Sequence, residues 1–113
     1  MVTEYGVKMG PIKGVLKEEL SNSSRMKKGY ERELAKLPKG SLIKKNIKGH
    51  DYYYLVLRKN NKVVFVYKGK VAQEEIDKFK NIKQDRARYR KLLSQVNKQI
   101  RFLRKSLRGK ESV

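Results

Sequence analysis

The sequence has no cysteine and no tryptophan, a single histidine, two prolines and only 11 acidic residues. Each shortage closes a class of explanation. Without cysteine there is no disulfide framework, no thiolate zinc site and no cysteine nucleophile. A lone histidine, His50, has no second histidine and no carboxylate cluster with which to build a tetrahedral metal site, and its place after Gly49 is that of an exposed turn residue. Nowhere do 18 apolar residues follow one another, and Met1 to Met9 carries Glu4 and Lys8 without an apolar run, so neither a membrane span nor a signal peptide is expected. No glycine-rich phosphate loop, nucleophile elbow or triad spacing is present. These absences lead to the expectation of a cytoplasmic, non-enzymatic chain without a cofactor. The acids that do occur, such as Glu18, Glu19, Glu31, Glu33, Glu74, Glu75, Asp77 and Asp85, sit among lysines and arginines on expected helices. They read as helix pairing and N-terminal dipole complements.

What the sequence has in excess is positive charge: 30 Lys and Arg give a net +19 over 113 residues. Solubility alone asks for far less, so a polyanion is the expected partner. Hydrophobic residues make up 38% of the chain, too many for a disordered basic tail, so one folded domain over residues 1–113 is expected.

The spacing of apolar residues divides that domain. Over residues 11–37, Leu16, Leu20, Tyr30, Leu34 and Leu37 fall on one helical stripe, with Met26 near it and polar Ser23 in the gap. The oxygens of Ser21, Asn22, Ser23 and Ser24 suit a helix start, so this arm is expected to break after Leu20 and resume near Arg25. Pro38 ends it, because proline disfavours the helical conformation in the residue before it.

Over residues 39–70 the period changes to two, with Ile43, Lys45, Ile47, then Tyr52, Tyr54, Val56, then Val63, Phe65, Tyr67 alternating along three strands. Gly49 marks the first turn and Asn60-Asn61 the second. A two-residue loop there sets Tyr54 opposite Tyr67, Val56 opposite Phe65 and Arg58 opposite Val63. Residues 71–108 return to helical spacing, and from Ile82 the positions 82, 86, 89, 93, 96, 100, 103 and 107 step by four and three in a heptad seam interrupted only by Arg86. A polar seam residue pairs with a buried carboxylate or fixes register. Residues 109–113 read as a frayed tail. The expected fold is therefore α+β: a three-stranded antiparallel sheet flanked by an N-terminal helical segment and a long C-terminal heptad helix. The first arm has matching steps at 16, 20, 23, 27, 30, 34 and 37, so the helices can pair antiparallel; a homodimer through the heptad helix is the competing use.

The charge is laid out unevenly. Residues 39–70 hold nine cations against the single acid Asp51, and residues 71–113 hold thirteen against five. Such side chains neutralise phosphates and release counterions, giving salt-sensitive affinity. The sheet's candidate contacts are Lys44, Lys45, Asn46, Lys48, Tyr53, Arg58, Lys59, Lys62 and Lys68; Arg88, Arg90, Lys91, Arg101, Arg104 and Lys105 extend the track along the helix. Both sheet faces carry apolar residues. Tyr52, Tyr54, Val56, Phe65 and Tyr67 with Ile43 and Ile47 are expected as the core under the helices. The other face then shows Lys44, Asn46, Tyr53 and Lys68 beside Leu42, Leu55, Leu57, Val64 and Val66, a mixture covered either by a DNA major groove or by the chain's own helices.

The stretch Leu37-Pro38-Lys39-Gly40-Ser41-Leu42, followed by Lys48-Gly49-His50-Asp51-Tyr52-Tyr53-Tyr54-Leu55, Arg58 and Tyr67-Lys68-Gly69-Lys70, resembles a family of short uncharacterised bacterial, archaeal and phage proteins. It resembles more loosely the three-stranded N-terminal DNA-binding domains of phage tyrosine integrases. That resemblance implies a sheet that reads the major groove with a helix from Val71 behind it, on a phage or mobile element. Recombination itself is not expected of these 113 residues, which hold no recombinase catalytic domain. The expected function is nucleic-acid binding, with DNA favoured over RNA. The alternatives are a phage-type inhibitor that docks on a host protein or nucleoprotein complex, and an RNA-binding protein in which Tyr52, Tyr53 and Tyr54 stack on unpaired bases.

Overall fold

The computed structural model describes residues 9–111, with side chains from Ile12 to Gly109. Helix α1 (Met9–Lys36) leads into strands β1 (Ser41–Ile47), β2 (His50–Lys59) and β3 (Lys62–Gly69), and helix α2 (Gln73–Glu111) follows. The architecture is α+β, as the change of period implies. Residues 1–8, where a leader would fall, lie outside the described residues, as do Ser112 and Val113. Among the described residues no helix is long and apolar enough to cross a membrane. The chain divides into two compact units, one formed by α1 to Leu34 with α2 from Tyr89, the other by residues 35–88.

In the first unit the expected break in α1 does not occur. The helix runs through Ser21-Asn22-Ser23-Ser24, where the side chains of Ser21, Asn22 and Ser23 find partners other than a helix start. Arg25 donates from Nη1 to Ser21 Oγ at 3.1 Å and from Nη2 to Asn22 Oδ1. Ser23, only 1% exposed, accepts from Gln99 Nε2 at 3.1 Å. A buried hydroxyl without a partner is costly, so the Gln99 amide is what makes Ser23 tolerable on that stripe. Tyr30 and Tyr89 meet with ring centroids 6.4 Å apart. The buried apolar residues of α2 in this unit are Val96, Ile100, Leu103 and Leu107, all at seam positions, and the seam residue Ile82 is buried in the second unit. The helix also continues past Arg108 to Glu111, so residues 109–111 are helical where fraying was expected.

In the second unit the sheet is antiparallel in the order β1-β2-β3. Both hairpins close through two residues with positive φ: Lys48 (52°) with Gly49 (82°), and Asn60 (49°) with Asn61 (64°). Two consecutive positive φ values match the right-handed twist of the flanking strands. The register sets Tyr54 against Tyr67, Val56 against Phe65 and Arg58 against Val63, as the two-residue loop requires. It slips between Tyr53, opposite Gly69, and Tyr54, opposite Tyr67, which leaves Lys68 as the extra residue of a bulge.

The sheet is anchored at its entrance. Gly40 has φ +99°, and a Cβ there would lie 2.7 Å from Leu57 Cδ2, 3.0 Å from Leu55 Cδ1 and 3.1 Å from the Val56 carbonyl oxygen. Arg86, the anomalous seam residue, donates from Nη2 to the carbonyl oxygens of Pro38 at 2.7 Å and Gly40 at 3.3 Å. Its partner is therefore the backbone leading into β1, where a buried carboxylate was one expectation. At the start of α2, the Ala72 carbonyl accepts from the amides of Glu75 (3.0 Å) and Ile76 (3.1 Å). Glu74 and Glu75 in the first turn complement the helix dipole.

Candidate nucleic-acid interface

Strand alternation and register sort the sheet residues into two faces. One carries Leu42, Lys44, Tyr53, Leu55, Leu57 and Val64; the other carries Ile43, Lys45, Tyr52, Tyr54, Val56, Arg58, Phe65 and Tyr67. The first faces the beginning of α2. A cleft of about 330 Å³ there is lined by Leu42, Lys44 and Tyr53 from the sheet and by Ile76, Phe79 and Lys83 from the helix. Leu42, Tyr53, Leu55, Leu57 and Val64 are half-buried, whereas Lys44, Asn46 and Val66 stay exposed.

This reverses the expected orientation of the sheet. Phe65 and Tyr67 are each 59% exposed and Val63 54%, and Ile43 and Ile47 are exposed as well. Tyr52, Tyr54 and Val56, near the middle of the same face, are half-buried. The tyrosines cluster: Tyr54 and Tyr67 meet edge to face with centroids 5.3 Å apart, and Tyr52 and Tyr67 lie 6.4 Å apart. His50 extends the row, its ring 6.5 Å from that of Tyr52. The face expected as core is open, and the face expected as the reading surface is the one with a helix behind it. The physical reason is that one helix segment, which brings Ile76, Phe79 and Arg86 to the cleft, backs this unit, and one helix covers one face of a sheet.

Lys44, Lys45, Lys48, Arg58, Lys59, Lys62 and Lys68 are exposed, and so are Arg88, Arg90, Lys91, Arg101, Arg104 and Lys105. The cations of the sheet do not form one surface. Lys45 and Arg58 stand on the open aromatic face, Lys48 at the first hairpin, and Lys44, Lys59 and Lys62 on the helix-backed side. Asn46 gives an amide hydrogen to Asp51 Oδ1 at 2.9 Å, across the strand pair. The only acid of the sheet segment is thus held by a neutral neighbour. Tyr53 lines the cleft and is half-buried, where exposure was expected. Arg88 approaches Asp85 at 3.6 Å, an exposed i,i+3 pair worth about 0.3–0.5 kcal/mol. No group of histidines and carboxylates suited to a metal ion occurs among the described residues.

The exposure of Phe65 and Tyr67 runs against the sequence reading, which placed them in the core with Tyr52 and Tyr54 and gave Tyr52 and Tyr54 a base-stacking role only in its RNA-binding alternative. Alternation separates the two faces, but both are apolar, so it does not say which one the helix covers. The lysines were no guide either, since Lys44 and Lys45 fall on opposite faces. No family model, curated protein or solved structure matches the chain.

Proposed function

We propose that this chain is a nucleic-acid-binding protein, with DNA as its polymer, acting in the cytoplasm and using the basic sheet and the basic flank of α2. The observation that carries the reading is the charge of residues 39–70, where nine cations accompany the single acid Asp51 and that acid is already hydrogen-bonded to Asn46. The candidate cations of this segment are exposed, so they are accessible to phosphates. Two further features agree with it. α2 begins four residues after β3 and backs one face of the sheet, leaving the other open. The cations of α2 from Arg88 to Lys105 named above are exposed along the helix.

Phosphate contacts position a protein on its polymer and account for affinity more than for sequence choice. The testing variant is therefore a charge reversal of Lys44, Lys45 and Lys48 to Glu, which changes the local charge by six without touching the buried residues. Its affinity for a labelled DNA fragment at low salt is expected to fall by at least tenfold. Unchanged affinity removes the sheet from the interface.

A further inference from the structure

The open face of the sheet combines features that narrow the ligand. Its aromatic rings come from adjacent strands, Tyr52 and Tyr54 from β2 and Phe65 and Tyr67 from β3, and the two on β3 are more than half exposed. An exposed patch of this kind on a soluble chain marks a binding surface. Lys45 and Arg58 stand on the same face, and the whole chain carries +19. A second copy would bring the same charge to the same patch, whereas a polyanion is attracted to it.

We propose that this face binds single-stranded DNA, with unpaired bases stacked on Tyr54, Phe65 and Tyr67 and the adjoining phosphates held by Lys45 and Arg58. The inference rests on the nucleic-acid reading above and names the strand state and the mode. Base pairing hides the π-faces of a duplex inside its stack, so a row of open rings suits only unpaired bases. DNA is favoured over RNA by the apolar strip of Ile43, Val56, Val63 and Phe65 on this face, which suits a thymine better than a uracil. The same strip offers apolar contact to the methyl group of thymine.

The test compares the full chain with Phe65→Ala/Tyr67→Ala, using fluorescein-labelled oligothymidylate, oligouridylate of equal length and a duplex. Both side chains are mostly exposed, so the variant should keep its far-UV circular dichroism and melting temperature. Each ring removed is expected to weaken oligothymidylate binding about tenfold, with duplex affinity and its salt slope unchanged. Oligouridylate should bind the wild-type chain more weakly than oligothymidylate. If the double variant binds oligothymidylate as well as the wild type does, or if oligouridylate binds more tightly, the inference is overturned while nucleic-acid binding stands. If no polymer binds at any salt, both fall. If the protein alone self-associates in sedimentation velocity and the double variant does not, the face belongs to a second copy and the inference is again overturned.

Discussion

The Gly40→Ala substitution probes the step that positions the sheet. At φ +99° a side chain is strained by about 1–2 kcal/mol, as for a left-handed conformation. Steric conflict adds to this, because the new methyl would sit 2.7 Å from Leu57 Cδ2 and 3.1 Å from the Val56 carbonyl oxygen. The leucine end yields by rotating, but the carbonyl belongs to the central strand, and overpacking of this kind costs about 1–3 kcal/mol. The sum is about 2–5 kcal/mol, a large fraction of the roughly 5–15 kcal/mol that stabilises a typical domain. With a urea m-value of about 1.5 kcal/mol/M, a loss near the middle of that range moves the midpoint by about 2 M. Urea unfolding followed by the β-sheet circular dichroism signal reads the effect. Gly49→Ala is the internal control: it shares the positive φ of +82° but has nothing within 4 Å, so it should cost only about 1–2 kcal/mol. Equal midpoints for the two alanine variants would show that the close approach at Gly40 contributes nothing and that the account of the β1 entrance is wrong.

Other substitutions test separate contacts. Arg86→Leu removes the donor to the Pro38 and Gly40 carbonyls and should cost about 1–2 kcal/mol in the same urea assay, with Arg86→Lys recovering only part of it. Leu103→Ala, at a seam position only 6% exposed, should cost about 2–5 kcal/mol in thermal unfolding. Ser23→Leu forces a larger side chain into a site that is 1% exposed, so a loss of about 1–3 kcal/mol is expected, against less than about 1 kcal/mol for Ser23→Ala, which fits the site and leaves the exposed Gln99 amide to water. Gly14→Ala, inside α1 with nothing within 4 Å, should stabilise the chain by about 0.5–1 kcal/mol.

Much of the fold is legible in the residues themselves. The heptad spacing from Ile82 marks the side of α2 that is buried, because a stripe at 3.5-residue spacing has to face a partner. Asn60-Asn61 fixes the β2–β3 register, since only a two-residue loop with positive φ matches the strand twist. Three features were misread, each for a physical reason. The serines at residues 21–24 look like a helix start, yet Gln99, 76 residues further on, satisfies Ser23 and removes the need for a break. Arg86 looks out of place on an apolar seam because its acceptors are backbone carbonyls, which no side-chain pattern reveals. The open aromatic face was assigned to the core because both faces of the sheet are apolar. Which face a helix covers depends on the path from Gly69 into Gln73, which alternation does not encode.

The most direct test of nucleic-acid binding is a salt titration of the chain's affinity for labelled single-stranded DNA, duplex DNA and structured RNA. Each neutralised phosphate contributes about 0.7 to the log–log slope for a single strand and about 0.9 for a duplex. The account predicts a linear fall with a slope of magnitude about 3 or more, corresponding to four or more phosphate contacts, and a decrease of about 1.4 for the single strand when Lys45 and Arg58 are replaced together by alanine. A slope near zero, or affinity that survives high salt and ignores the loss of these two cations, would contradict it and assign the basic surface to another partner.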